Sequence, residues 1–366
     1  MPWVKHGWGS RMKVKLVQFD KVEIIRKPET QKMEVEFLNF TEKELQLPEQ
    51  YFVPGCYKYT IENGLIIGNR SCVVGDEVYI DTPNEWSRKE FLEYVARVKK
   101  VHRQEFSFLN DYCEETGEGT LEIARPYIHI EEEVIFCGSV EFWNFGFFLT
   151  VLMQKIYFAI RNDASKSILV PICSAWQSDL LRKFFPKVRF IYYDPYQVVS
   201  VARATVISWP GFGFHIASDY REYIQKIVES SEFDISDERK RIWLARREGI
   251  YAQRFEMTKL INMDLLSNGY IPLYPELLPI DRTARIVREC HSIILDSGSA
   301  LFNLIFAKNN VSANLFESRP EFLLNHSRFM NSCNIKSRVL FVNVSSEIST
   351  IRRKLFDPLK YTGNLN

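Results

Sequence analysis

The stretch Ile293-Ile294-Leu295-Asp296-Ser297-Gly298-Ser299-Ala300-Leu301-Phe302-Asn303 decides the fold class of this chain. A short apolar run ends in a turn of small residues, and a helix-like segment follows from Ala300 to Ala307. This pattern is typical of a junction between a strand, a turn and a helix. Such a junction presents unpaired N–H groups and the positive end of a helix dipole above the sheet. Phosphate is the usual ligand there, although an ordinary tight turn in an α/β domain has the same pattern.

The order of the predicted elements extends this fold class to most of the chain. From residue 140 onward, apolar strand-like runs alternate with amphipathic helices, which is typical of parallel sheets covered on both faces. Residues 231–239 are polar and divide this part into two blocks. We therefore expect two Rossmann-like parallel-sheet domains facing a cleft. Residues 12–82 alternate in strand fashion between turn signals and predict a β-rich N-terminal region.

The predicted boundaries follow from these changes of pattern. The predicted regions are a β-rich N-terminal region at 1–125, a first Rossmann-like domain at 126–235, a second Rossmann-like domain at 236–345 and a C-terminal helix at 346–366.

Composition and charge exclude several classes of function. Apolar residues make up 46% of the chain and charged residues 25%, as in soluble globular proteins. The 47 basic and 46 acidic residues leave a net charge of +1, so no basic surface is expected for a nucleic-acid partner. The seven cysteines are scattered without a CxxC pair, which indicates a reducing, cytoplasmic location. No histidine or cysteine spacing predicts a metal site.

One apolar segment, Phe142 to Ile160, resembles a membrane span. Lys155 lies within it, and a lysine at mid-span costs roughly 2.5–3.5 kcal/mol on insertion scales. A helix that is apolar on all sides is also expected at the centre of a large protein. We expect a buried helix, with a membrane span as the alternative.

Polar side chains end four predicted strands of the second block. They are Arg246-Arg247, Pro275-Glu276, Asp296-Ser297-Gly298-Ser299 and Glu317-Ser318-Arg319. Parallel strands end at one rim, where sites of α/β sheets lie. Arginine pairs two oxygens of a diphosphate at once, and a carboxylate at a strand end suits a ribose diol. The chain has no GxGxxG motif, so the pattern favours a nucleotide-sugar site. The alternative is that these groups are solvated or pair with each other.

Two further segments could contribute to a site. Asn144 and Gly146 lie at the start of the apolar helix, where glycine permits a ligand or another backbone to approach closely. The alternative is that Asn144 only caps that helix. His215 follows a glycine-rich stretch, Gly211-Phe212-Gly213-Phe214, and could line the cleft.

Several short motifs, taken together, resemble the family 61 glycosyltransferases, which include capsular polysaccharide biosynthesis proteins. The motifs, in order, are Asn144-Phe145-Gly146-x-Phe148-Leu149, Trp243-Leu244-Ala245-Arg246-Arg247, Arg254, Asn268-Gly269-Tyr270, Pro275-Glu276, Gly298-Ser299-Ala300-Leu301-Phe302-Asn303 and Phe316-Glu317. The resemblance covers roughly residues 130–320. It implies a GT-B fold in which the first domain takes the acceptor and the second takes the nucleotide sugar.

The resemblance also implies an activity. The chain is expected to be an inverting glycosyltransferase, of hexosyl or N-acetylhexosaminyl type, acting in surface-polysaccharide assembly. The donor is expected to be a nucleotide sugar of UDP type and the acceptor a glycan or lipid-linked saccharide. No further cofactor is expected. The location implied is the cytoplasm, with peripheral association with the inner membrane.

Residue roles follow by position from the same resemblance. The expected donor-site and cleft residues are Arg246, Arg247, Arg254, Glu276, Ser297, Gly298, Ser299, Asn303 and Glu317, with Asn144 and Gly146 upstream. Two family histidines are replaced here, by Phe147 and Ser297. Inverting transfer needs a base within hydrogen-bond reach of the acceptor, and the candidates are Asp296, Glu141 and His215. An aspartate before a helix also commonly caps it. The alternative function is a catalytically inactive protein that binds nucleotide sugar or a partner transferase.

Overall fold

The computed structural model describes residues 11–19, 23–101, 106–122, 126–172, 174–210, 214–230, 241–246 and 256–356. The chain forms two compact units: Met1–Thr30 with Phe52–Phe212, and Gln31–Tyr51 with Gly213–Asn366. Both contain helices and sheets with parallel strands, and the first is rich in β-structure. The mixed α/β class with a β-rich N-terminal region is therefore confirmed.

The strands, in chain order, are β1 (Arg11–Val17), β2 (Glu23–Arg26), β3 (Glu29–Lys32), β4 (Glu36–Asn39), β5 (Gln50–Val53), β6 (Cys56–Ile67), β7 (Ser71–Val74), β8 (Glu77–Ile80), β9 (Leu109–Asn110), β10 (Glu118–Glu122), β11 (Ile128–Ile130), β12 (Val134–Phe136), β13 (Ser167–Pro171), β14 (Phe190–Tyr193), β15 (Val199–Ile207), β16 (Arg241–Leu244), β17 (Ile271–Leu273), β18 (Ser292–Asp296), β19 (Ser312–Glu317) and β20 (Lys336–Phe341).

The α-helices are α1 (Arg88–Val101), α2 (Phe145–Phe147), α3 (Met153–Asn162), α4 (Ala175–Phe184), α5 (Ser218–Ser230), α6 (Met257–Leu260), α7 (Asn262–Ser267), α8 (Ile280–Glu289), α9 (Pro320–Ser332) and α10 (Ile348–Phe356). A π-helix spans Phe148–Leu152, and 3-10 helices span Pro275–Leu277 and Ser299–Phe306.

The first unit is built on one sheet, with the strand order β14-β13-β12-β15-β6-β7-β8-β1-β10-β9. The strands β14, β13, β12 and β15 are mutually parallel, and β6 pairs antiparallel with β15. The N-terminal strands β1, β2, β6, β7 and β8 therefore continue the sheet of the first predicted block by hydrogen bonding. Buried and exposed side chains alternate along β1 and β5. Such alternation is typical of strands with one face on the core and the other in solvent.

Residues 148–159 of the apolar segment lie in the interior of the first unit. The single predicted helix is divided into α2, the π-helix and α3, and Phe148, Leu152 and Ile156 are fully buried. Within the described ranges, no helix is long and apolar enough to cross a membrane. The prediction of a buried helix is confirmed, and its charged residue, Lys155, is buried as well.

The second unit is built on six parallel strands in the order β17-β16-β18-β19-β20-β4. Its inner strands are almost continuously apolar because both faces are covered. The edge strand β4 comes from the N-terminal region and pairs with β20, with Phe37 opposite Val339, a pairing that the sequence did not predict. Helix α5 also belongs to this unit, where Arg221 donates hydrogen bonds to Asn309 and to the carbonyl of Ala307.

Candidate functional site

The quoted strand and turn form as expected at the carboxyl end of β18. Ile293 to Leu295 are fully buried between neighbouring strands, and the chain then turns at Ser297 and Gly298 into the 3-10 helix. The amide of Leu301 bonds to the carbonyl of Gly298 at 2.9 Å, an i→i+3 contact. The predicted helix therefore exists, but with 3-10 instead of α geometry, and its first N–H groups have no partner within the helix.

Gly298 brings the predicted arginine onto this turn. Its φ of 132° is one that L-residues rarely adopt. A Cβ atom on Gly298 would lie 1.7 Å from Nη2 of Arg246, so only glycine leaves room for the guanidinium. Arg246 also donates a hydrogen bond to the carbonyl of Ser297, and its Nη1 lies 4.0 Å from Oε1 of Glu256. The structure thus places a largely buried cation directly over the 297–299 turn.

Asp296 ends β18 and caps a helix other than the one that follows it. Its carboxylate accepts the amide of Met257 at 2.8 Å, and both the amide and the hydroxyl of Thr258. These are the first residues of α6, which follows the neighbouring strand β16. Burial, and to a lesser extent the charge of Glu256, raise the pKa of Asp296 to about 6, against the opposing effect of the hydrogen bonds. The geometry favours a capping role, and catalysis by Asp296 stays a prediction.

The pKa of Asp296 predicts a pH-dependent stability. The native carboxyl retains its proton up to about pH 6, whereas the unfolded chain releases it near the usual 3.8. Unfolding therefore releases a proton between these values, and the free energy of unfolding falls as pH rises from about 4 to about 6. We expect a loss of about 3 kcal/mol across this window, at about 1.4 kcal/mol per pKa unit. Urea denaturation of the wild type and Asp296→Asn at pH 4.5 and 7.5 should show about 2 kcal/mol of this loss, because the rest occurs below pH 4.5; a stability difference independent of pH would contradict it.

Glu317, at the end of β19, is fully buried and bonded by protein groups on both carboxylate oxygens. Oε1 accepts the amides of Ser318 and Arg319 at 3.0 and 2.9 Å, and Oε2 bonds to Nδ1 of His326. Burial alone would raise the pKa of Glu317, but the hydrogen bond and charge of His326, helped by the Arg319 amide, outweigh it and lower that pKa. Glu317 therefore lies at the predicted rim with an unforeseen set of partners, and its contact with a ribose stays a prediction.

The remaining predicted donor residues are distributed around the same strand ends. Ser299 is half-buried at the first position of the 3-10 helix, and Asn303 is buried with Nδ2 donating to the carbonyl of Ala300 at 3.0 Å. Glu276 is exposed on the 3-10 turn that follows β17. Arg247 and Arg254 lie outside the described residues.

The predicted residues of the first unit lie at the carboxyl side of β12. Asn144 caps α2, since its side chain accepts the amide of Gly146 at 2.9 Å. Glu141 lies in the preceding turn with a positive φ of 41°, and Phe147, for which the resemblance implies a histidine, packs against the apolar core. Glu141 is half-buried, and its role as a base stays a prediction.

His215 lies in the interior of the second unit. It is 2% exposed, and its Nδ1 lies 3.3 Å from the hydroxyl of Tyr51. That hydroxyl also donates to Gln31 and accepts from Asn331, at 3.0 and 3.2 Å. These contacts describe a buried hydrogen-bonded histidine, and its role as a base stays a prediction.

Two groups of polar residues were not predicted. In the second unit, His326 joins Glu317 and Arg319; the strand end Glu317-Ser318-Arg319 was predicted to lie at the rim, but its contact with His326 was not. In the first unit, Arg70, Asp81 and Lys155 form a buried charge cluster, and only the isolated lysine in an apolar run pointed to it. In the part of the chain that the structure describes, no group of three His, Cys, Asp or Glu residues could hold a metal ion.

Comparison with known proteins identifies a family for the chain. The family model described as Glycosyltransferase 61 matches residues 88–313, which is more than half of the 366 residues. No curated protein matches the chain. The matched range includes the 297–299 turn and Arg246 and ends within β19, before Glu317, Arg319 and His326.

Proposed function

Because the chain belongs to glycosyltransferase family 61, we propose that it transfers a sugar, with inversion, from a nucleotide-sugar donor to a saccharide acceptor. The observation that carries this proposal is the cation over the turn: Arg246 lies against Gly298 at the carboxyl end of a parallel strand. Ligands of open α/β sheets bind at such strand ends. A guanidinium and the first N–H groups of a helix are together suited to phosphate.

The donor's diphosphate has a specific place in this arrangement. The amide of Ser297 already donates to the carbonyl of Phe316 at 2.9 Å. We therefore propose that the amides of Gly298 and Ser299 donate to the phosphate oxygens. Arg246 exchanges its bond to the Ser297 carbonyl for phosphate oxygens, which are stronger acceptors because they are charged. We also propose that the donor is a UDP-type nucleotide sugar and that the transferred group is a hexosyl or N-acetylhexosaminyl residue.

The acceptor side of the proposal concerns the first unit. We place a glycan or lipid-linked saccharide near Asn144 and Gly146, at the carboxyl end of β12. The GT-B arrangement, a role in surface-polysaccharide assembly and a cytoplasmic location with peripheral association with the inner membrane belong to the same proposal. The base that activates the acceptor is chosen among Asp296, Glu141 and His215. Glu141 is half-buried, whereas Asp296 and His215 are buried, and full turnover of Asp296→Asn would eliminate Asp296.

A second function is favoured by one observation. Phe147 packs into the apolar core and Ser297 carries a hydroxyl, so neither replaces the chemistry of the family histidines. A protein that binds nucleotide sugar without transferring it, or that assists a partner transferase, would keep Arg246 and the 297–299 turn but show no turnover.

Nucleotide binding without a divalent ion tests the proposal. Because arginine and helix N–H groups supply the counter-charge, we expect UDP to raise the melting temperature in the presence of EDTA. At 100 times Kd, the expected stabilisation is about 2.7 kcal/mol. A thermal-shift series with UDP, ADP, GDP and uridine, with EDTA or Mn²⁺, measures it. A shift that requires Mn²⁺ would contradict metal independence, and no shift with any nucleotide would contradict donor binding.

A further inference from the structure

A buried pair of side chains lies behind the 297–299 turn. Glu317 is fully buried, and His326 on α9 is 2% exposed. The lowered pKa of Glu317 keeps its carboxylate ionised, so Nδ1 of His326 is the donor in their hydrogen bond. The imidazole ring packs between Phe214 and Phe322, with centroid distances of 5.9 and 5.5 Å. The pair therefore has one fixed orientation.

This pair fixes Arg319, the residue that links it to the turn. The backbone N–H of Arg319 donates to Oε1 of Glu317 at 2.9 Å. The side-chain Nε of Arg319 lies 3.6 Å from the same oxygen. Its guanidinium lies over the ring of Phe322, 4.2 Å from the centroid, a favourable cation–π distance. Nη2 reaches Oγ of Ser297 at 3.4 Å. The guanidinium thus points at the turn while about a quarter of the side chain, 23%, stays exposed.

These contacts hold the guanidinium of Arg319 next to the 297–299 turn, where it could contact a ligand bound to the turn. The carboxylate of Glu317 bonds to His326 through Oε2 and lies near Arg319 through Oε1, so it has two side-chain partners. Arg246 already approaches the turn from the side of β16. Arg319 approaches it from the end of β19, and two cations match the two phosphates of a diphosphate better than one.

We propose that Arg319 is a second cation for the donor diphosphate, and that the Glu317–His326 pair is its positioning element. This inference rests on the proposed function and deepens it. His326 does not touch the ligand; it acts by holding Glu317 ionised and oriented, and Glu317 holds the arginine. The family match ends before all three residues, so the match does not assign them.

Titration with UDP and with uridine separates phosphate recognition from a structural effect. We expect Arg319→Gln to lower the affinity for UDP about 10- to 100-fold, because one charge-assisted hydrogen bond is lost. The affinity for uridine should be unchanged. His326→Phe, which keeps ring packing but removes the donor, should weaken UDP in the same direction. His326→Asn, whose amide can replace Nδ1, should restore most of the affinity. Arg338→Gln is the control, because Arg338 pairs with Glu36 on another strand.

The outcomes distinguish this inference from the proposed function. Wild-type affinity in Arg319→Gln, with affinity lost in Arg246→Ala, would overturn the role of Arg319 and leave the donor site standing. Equal losses for UDP and uridine in Arg319→Gln would show a structural effect and overturn it as well. Failure of the wild type to bind UDP would overturn both.

Discussion

Replacing Asp81 with alanine is expected to lower the free energy of unfolding of the first unit by about 3–5 kcal/mol. Its carboxylate accepts a hydrogen bond from Nζ of Lys155 and lies 3.7 Å from Nη1 of Arg70. Burial first, and then the neighbouring Arg70, hold the pKa of Lys155 well below its usual range. Without the carboxylate, both cations lose their counter-charge in the interior. Lys155 would keep only the carbonyl of Gly138, at 2.7 Å.

Urea denaturation of Asp81→Ala against the wild type measures this loss. The matched control is Glu93→Ala, because Glu93 pairs with Lys89 on the exposed surface of α1, where such pairs contribute about 0–1 kcal/mol. Lys155→Met should cost less than Asp81→Ala, since Arg70 still neutralises the carboxylate. A change below about 1 kcal/mol in Asp81→Ala would show that the cluster does not support the fold.

Local pattern predicted the elements of the second unit well. The ends of β18 at Asp296 and of β19 at Glu317 agree with the predicted strand ends, because each strand is an apolar run that ends in polar or small residues. The pairing of β4 with β20 was missed, since Phe37 and Val339 meet only through the folded chain. Helix α9 was missed as well, because its side chains are mixed in polarity instead of strongly periodic.

The candidate site was predictable in one part and not in another. Arg246 and the 297–299 turn follow strands that are neighbours in the sheet, so their polar ends could be expected to meet. The pair of Glu317 and His326 depends on α9 folding back against β19, which no local pattern reveals. Lys155 was recognised as unfavourable in a membrane span, but its partner Asp81 is distant in sequence and could not be identified.

The substitution Arg246→Ala is expected to lower the affinity for UDP about 10- to 150-fold. One charge-assisted hydrogen bond contributes about 1.5–3 kcal/mol, and each 1.4 kcal/mol is tenfold in affinity. The space that Gly298 leaves for the guanidinium shows that this arginine and this turn form one surface. The fold should persist, because Glu256, whose carboxylate lies 4.0 Å from Arg246, keeps its ion pair with Lys259 at 2.8 Å.

Calorimetric titration of UDP into the wild type, Arg246→Ala and a control arginine variant tests the donor site most directly. Arg352→Ala is the control, because Arg352 lies on α10 in the same unit and pairs with Asp264 at 2.8 Å. The donor site at the 297–299 turn predicts saturable binding by the wild type and by Arg352→Ala, with affinity reduced at least tenfold in Arg246→Ala. Equal UDP affinity in all three proteins, or no binding by the wild type, would contradict it.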